Sequence, residues 1–266
     1  MSVYLKEFST HSEYEAYIAS EGKILPNVSI CEDTKDVHYN PFVETRVVAK
    51  FNVTSTSSPT KIANITSIFS EIEIDDSKQP SVTTGYTFDT VGEHTIKYTL
   101  KNPTSIGEGA FQSCSGLISI DIPSGVTSIG YSTFNSCISL TSVDIPNSVT
   151  SIGSRAFDNC TSLTSCTIGS GVTSIGDTAF YHCSGLTSID IPSGVTSIGN
   201  SAFNGCSRLT SIVSNAATAP TIQSATFYNV KTGGTLTVPQ GSSGYDTWMQ
   251  NINYYLGLYG WTKVEQ

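Results

Sequence analysis

From Thr104 onward the apolar residues of this chain recur at fixed long offsets. The short rhythm of a lone helix or strand is absent. Phe111, Phe134, Phe157, Phe180 and Phe203 stand 23 residues apart, and Cys114, Cys137, Cys160, Cys183 and Cys206 follow each of them by three. Between the markers runs one phrase, Leu117-Ile-Ser-Ile120-Asp-Ile122-Pro-Ser-Gly-Val126-Thr-Ser-Ile129-Gly. It returns around Leu140, Val143, Ile145, Val149 and Ile152, and again around Leu186, Ile189, Ile191, Val195 and Ile198. Leu-x-x-Ile-x-Ile predicts a turn residue and then a short strand that buries alternate side chains. Pro123, Pro146 and Pro192 lack a backbone N–H and end that strand. Gly107, Gly130, Gly153, Gly176 and Gly199, each after Ser-Ile, call for either a positive φ or a close backbone approach. The Phe faces inward from the opposite wall, with the Cys as a small buried group. One such coil owns too little interior to offset the entropy of ordering it, so stability must come from stacking on its neighbours. The expected fold is a solenoid of 23-residue repeats, mostly β and irregular, with a parallel sheet on one face.

The repeats fade at both ends. After Cys206 the pattern degrades through Ile212, Pro220 and Ile222 to Phe227, then closes on Leu236-Thr-Val238-Pro239-Gln-Gly241. Ser243-x-x-Asp246 predicts a helix start for Tyr245, Trp248, Met249 and Ile252. With Tyr254, Tyr255, Tyr259 and Trp261 these residues are expected to cover the last coil rather than to form a ligand platform. Ahead of the array, period-2 alternation predicts strands over 44–53, 70–74, 86–88 and 94–100, separated by polar stretches. They are expected to make a small β-rich, sandwich-like module whose last strand runs into the first coil. Thr10-x-x-Glu13 predicts a short helix carrying Tyr14, Tyr17 and Ile18, followed by a loop with Pro26, Cys31, His38 and Pro41. The domain plan is therefore 1–43 helix and loop, 44–100 β-rich module, 101–240 repeat array and 241–266 cap.

The pattern Ile-x-x-x-Ala-Phe-x-x-Cys-x-x-Leu-x-x-Ile-x-Ile-Pro-x-x-Val resembles the BspA-like leucine-rich repeat family over 96–239. The resemblance implies a surface protein of the kind found in host-associated anaerobic bacteria and some protozoan parasites, attaching to host proteins or other microbes. One coil departs from it: Cys166 replaces the strand Ile, Thr167 the Asp and Gly169 the Pro, and elsewhere Thr133 stands in place of Ala. These changes interrupt any uniform surface stripe.

Composition narrows the chemistry. The 266 residues carry 13 Lys and Arg against 22 Asp and Glu, a net charge of −9, with 38% hydrophobic residues. That is too apolar for disorder, and without a basic cluster it argues against nucleic acid and anionic membrane as partners. Residues 1–23 show no apolar signal core, and no stretch approaches a membrane span, so secretion and synthesis without a signal both stay open. Seven cysteines and four scattered histidines (His11, His38, His94, His182) include no Cys-x-x-Cys pair, and no cofactor or metal is expected. Parallel coils about 4.8 Å apart would let neighbouring Cys approach, but in poor disulfide geometry. Buried free thiols are the expectation. His182-Cys183 is not expected to act as a catalytic pair, since the repeat turns one outward and the other inward.

The outward strand positions are the candidate binding face: Ser119 and Asp121, Ser142 and Asp144, Ser165 and Thr167, Ser188 and Asp190, then Ser211 beside Val213. Stacking would place Asp121 and Asp144 about 5 Å apart, a repulsion of order 1 kcal/mol in water-like surroundings. Hydroxyl and carboxylate rows also keep an exposed sheet soluble without any ligand. No motif of a hydrolase, metalloprotease, nucleotide-binding loop or dinucleotide fold occurs. The expected function is non-enzymatic binding of a protein or glycan at a cell surface. The alternative is a structural subunit or spacer of a surface or phage-derived assembly. The partner and the oligomeric state have no signature in the sequence.

Overall fold

Each repeat can bond to the next at two places, the Leu-x-x-Ile-x-Ile segment and the Ser-Ile of Ser-Ile-Gly, and the chain uses both. A computed structural model of the protein describes residues 46–266 together with the backbone of Val28–Ile30 and Val37–Tyr39. Those two strands pair antiparallel within the segment expected to be a loop, where Val and Ile alternate with polar residues. The helix expected around Thr10 lies outside the described residues. The chain divides into a unit of residues 1–44 and a unit of residues 45–266, with no division at 100.

Residues 104–238 coil as a β-solenoid. Its long strands are Leu117–Asp121, Ser142–Ile145, Ser165–Ile168, Ser188–Ile191, Ser211–Ser214 and Thr235–Val238. Ser105–Ile106, Ser128–Ile129, Ser151–Ile152, Ser174–Ile175 and Ser197–Ile198 form a second, five-stranded parallel sheet on another wall. Two residues per coil are too few to show a period, so this ladder had no strand signal of its own. The expected glycine choice resolves as close approach. A Cβ on Gly153 would lie 2.7 Å from the carbonyl carbon of Gly130, and one on Gly176 2.6 Å from the Ser154 nitrogen.

Inside, Phe111, Phe134, Phe157, Phe180, Phe203 and Phe227 are fully buried and stack nearly parallel, with centroids 5.2–5.9 Å apart. Beside them the thiol of each ladder Cys after Cys114 reaches back one coil. Cys137 donates to the Phe111 carbonyl at 3.1 Å, and Cys160, Cys183 and Cys206 repeat the contact to Phe134, Phe157 and Phe180. Thr133, in place of Ala, satisfies its buried hydroxyl on the carbonyls of Gly107 and Gly130.

Three of the expected strands, Arg46–Val53, Gly92–Leu100 and Phe69–Ile74, pair in that order as one antiparallel sheet, to which Ser77–Lys78, expected as a polar stretch, adds an edge. The strand expected over 86–88 does not join them: Gly85–Tyr86 pairs with Thr60–Lys61 in a separate two-stranded ladder. Although Gly92–Leu100 leads along the chain into the first coil, Arg46–Val53 is the strand that pairs, antiparallel, with Leu117–Asp121. Cap and array thereby share one seven-stranded sheet. Phe69 and Tyr98 close the Phe stack at tilted and edge-on angles.

At the other end the helix expected after Ser243 does not form. Residues 244–250 make successive turns through bonds such as Thr247 N to Gly244 O and Trp248 N to Tyr245 O, and Leu256–Tyr259 is a short 3-10 helix. The reason is that Trp248 takes the next Phe position, tilted against Phe227, so the segment keeps the turn geometry of a coil. Ile252, expected on the buried side, is exposed. Trp248 and Trp261 donate their ring N–H groups to the carbonyls of Pro220 and Lys231, and Thr262–Glu265 adds a last parallel strand. No helix among the described residues is long and apolar enough to cross a membrane.

Candidate functional site

Two kinds of hydroxyl row run along the array, and their hydrogen bonds separate them. Thr127, Thr150, Thr173 and Thr196 each donate Oγ1 to the main-chain carbonyl of the Thr one coil before, at 3.1–3.2 Å. Beside the long strands Thr164 and Thr210 do the same, and Thr141 donates to the carbonyl of Ile118. These hydroxyls hold the coils together. By contrast, among the described residues, Ser119, Asp121, Ser142, Asp144, Ser165, Thr167, Ser188, Asp190 and Ser211 hydrogen-bond through their side chains to no other part of the protein. Their donors and acceptors are directed to solvent.

Register brings Asp121 beside Asp144, Ser142 beside Ser165, and Asp144 beside Thr167. Further along, Ser188 sits beside Ser211 and Asp190 beside Val213. The face is not one sheet, as uniform stacking would make it. The strands Ser165–Ile168 and Ser188–Ile191 belong to different sheets, and the Thr-to-Thr main-chain bond that recurs at 164 and 210 is missing at 187. The departure from the repeat at Gly169 coincides with the split. Gly169, in place of Pro, and the regular Gly171 let the third coil press on the second, since a Cβ would lie 2.5 Å from the Pro146 carbonyl at the first and 2.0 Å from the Asn147 carbonyl oxygen at the second. The equivalent Gly194 approaches the third coil only to 3.4 Å. A pocket of about 500 Å³ opens there, lined by Ser165, Thr167, Ser188, Asp190, Pro192 and Asn215 among others.

The face also extends past the array, where no local pattern in the sequence marks it. Lys50 on Arg46–Val53 lies in register with Ser119, and Val48 with Asp121. Glu93, whose carboxylate pairs with Lys50 at 2.8 Å, and to a lesser degree Asp121 raise the Lys50 pKa. Arg46 pairs with Glu73 at 3.0 Å on the same sheet. Their period-2 alternation was legible, but nothing local showed which strand edge they would join.

The six cysteines from Cys114 to Cys206 are buried and free. Burial pushes the Cys114 thiol up to about 12 and raises the others too, which leaves them protonated and unreactive. Cys31 lies outside the described residues. His182 is exposed, with φ 54, while Cys183 is buried, so the two do not meet. Among the described residues no group of three His, Cys, Asp or Glu could hold a metal ion. Asp190 is the lone carboxylate lining the pocket, where glycoside hydrolysis would need two across the bond.

The BspA type leucine-rich repeat region family matches residues 104–233 in six copies. The array is a BspA-type leucine-rich repeat region. No curated protein matches the chain. Among solved structures, a Treponema pallidum leucine-rich repeat protein is 30% identical, with a TM-score of 0.41, covering 41% of this chain and 51% of that one. A leucine-rich cell surface protein of Faecalibacterium prausnitzii is 25% identical, with a TM-score of 0.38, covering 52% and 53%. A Bacteroides ovatus leucine-rich repeat protein is 26% identical, with a TM-score of 0.39, covering 59% and 50%. The chain spans about half the length of each. This BspA-type array has a split strand face and an antiparallel N-terminal cap.

Proposed function

We propose that the chain is a non-enzymatic recognition protein displayed at a cell surface, with the strand face of its BspA-type array as a protein- or glycan-binding surface. One observation carries the reading: the threonine rows are committed to holding the coils, whereas the outward Ser and Asp side chains of the long strands make no hydrogen bond within the described protein. Rigid coils fix those free groups at the repeat spacing, so a partner meets them without ordering them first. Similarity to a leucine-rich cell surface protein supports surface display. The intact protein should bind saturably to at least one immobilised extracellular-matrix protein, mucin or glycan in a surface plasmon resonance panel. Binding should fall when Ser142→Arg and Asp144→Arg are combined. A panel without binding, or binding indifferent to that pair, overturns the proposal.

A structural subunit or spacer is the second reading. It is favoured by the outer edge of Thr262–Glu265, which pairs only with Thr235–Val238 among the described residues. Mass measurement in solution separates the two, because an obligate subunit would not remain a monomer.

A further inference from the structure

The split in the strand face coincides with the coil whose sequence departs from the repeat, and it creates a concavity that uniform stacking would close. We propose that the cleft between Ser165–Ile168 and Ser188–Ile191 is a saccharide subsite that takes an uncharged sugar ring, which rests on the reading of the strand face as a binding surface. Its volume, about 500 Å³, lies within the ~300–1,000 Å³ of small-molecule sites. The lining has no Lys, Arg or His, and its single charge is the exposed carboxylate of Asp190. An anionic ligand such as a sulfate, phosphate or sialic acid would meet repulsion without a counter-charge. A purely apolar ligand would strand the hydroxyls of Ser165, Thr167 and Ser188, which have no partner within the protein. A neutral ring with several hydroxyls matches this set. Asp190 accepts from two adjacent sugar hydroxyls, and Asn215, whose Nδ2 donates to the Ile191 carbonyl at 3.3 Å, keeps its side-chain oxygen as a further acceptor. The serine hydroxyls donate to ring oxygens, and Pro192 and Ile168 offer apolar surface to the C–H face of the ring.

The departures from the repeat then have a role. Thr167 in place of Asp removes a second carboxylate from the cleft, and Gly169 in place of Pro lets the third coil draw towards the second. The intact protein, applied to a glycan microarray with neutral, sulfated and sialylated members, should bind neutral glycans selectively. The best of them, titrated by calorimetry, should lose about tenfold or more in affinity on Asp190→Ala and again on Asn215→Ala. Glu108→Gln, on the first coil, should leave affinity unchanged, and unchanged thermal midpoints would show that the cleft variants fold. Preference for sulfated or sialylated glycans overturns the proposal, as does neutral binding that survives both cleft variants. Binding to matrix proteins but to no glycan also overturns it while leaving the recognition reading intact; no binding of any kind removes both.

Discussion

At the scale of the residue, the repeat is held in place by two backbone demands of opposite sign. At Gly153 the demand is for absence of a side chain, because the Gly130 carbonyl carbon and oxygen would each lie 2.7 Å from an added Cβ. Those are backbone atoms that cannot swing away, so Gly153→Ala should push two coils apart and cost roughly 2–4 kcal/mol, a cost of the overpacking kind. Urea unfolding would measure it, and a loss under 1 kcal/mol would contradict the close-approach account. Thr178 faces the other demand. It adopts φ 54, one of a recurring series with Ser132, Arg155 and Ser201, although its branched side chain disfavours the left-handed region. Relief of that strain, about 1–2 kcal/mol, exceeds the roughly 0.5–1 kcal/mol entropic cost of glycine, so Thr178→Gly should stabilise by about 0.5–1 kcal/mol. The glycine after Ser-Ile was legible as a special position. The left-handed residues were not, because Ser, Arg and Thr share no composition that marks them.

At the scale of the element, the inward ladders were the most legible part of the molecule. Phe and Cys recur in sequence because they recur in space. What the pattern did not show is that the thiols donate to the carbonyls of the preceding coil, since a small buried apolar group would occupy the same position. With their pKa raised by burial, the six described thiols should resist iodoacetamide in the native protein and all react in urea. Mass spectrometry of native protein showing any of them alkylated would break this account. The cap hairpin has a pH dependence of its own. Asp75 and Asp76 form its tight turn with φ 46 and 62, and His94, buried beside Phe88, meets Asp75 Oδ2 through Nδ1 at 2.6 Å and the Thr90 carbonyl through Nε2 at 2.9 Å. Both partners accept, and the imidazolium, donating from both ring nitrogens, satisfies them together. Burial alone would lower the His94 pKa, but the Asp75 hydrogen bond, the Thr90 carbonyl and the Asp75 charge outweigh it and raise it. Burial alone would raise the Asp75 pKa, but its bonds to His94 and Thr95 and the His94 charge lower it. His94 therefore contributes stability that is complete below 6.5 and fades as pH rises through its raised value. Asp75 contributes stability that is complete above 3.8 and fades as pH falls through its lowered value. Wild type should be more stable at pH 5 than at pH 8, and Asp75→Asn should shrink that difference by about 1 kcal/mol after allowance for the half-exposed carboxylate. An undiminished difference in the variant would remove the pair as its cause.

At the scale of the whole molecule, the question is how a one-dimensional stack ends. Within the array each coil is covered by the next, so the fold could be read by locating one coil and repeating it. The termini have no such internal template. The N-terminal strands were visible as strands, yet their docking depends on Arg46–Val53 meeting Leu117–Asp121 across more than sixty residues of chain, a pairing no local period encodes. That docking supplies the first coil with both things it lacks: a hydrogen-bonded neighbour for Leu117–Asp121, and Phe69 and Tyr98 as the cover for Phe111. Residues 104–266 alone would expose Phe111, Leu117 and Ile120, all buried in the intact protein, along with an unpaired strand edge. Exposure would spread inward, because each coil's stability is borrowed from its neighbour. The truncated protein should therefore associate through that edge or lose its first coils, whereas Phe69→Ala in the intact chain should cost about 3–5 kcal/mol and leave the strand pairing in place. Light scattering and hydrogen exchange on both proteins decide the matter. A monomeric 104–266 fragment with full protection in 117–121 would mean that the array ends itself, and that the antiparallel strands exist for some purpose other than closing it.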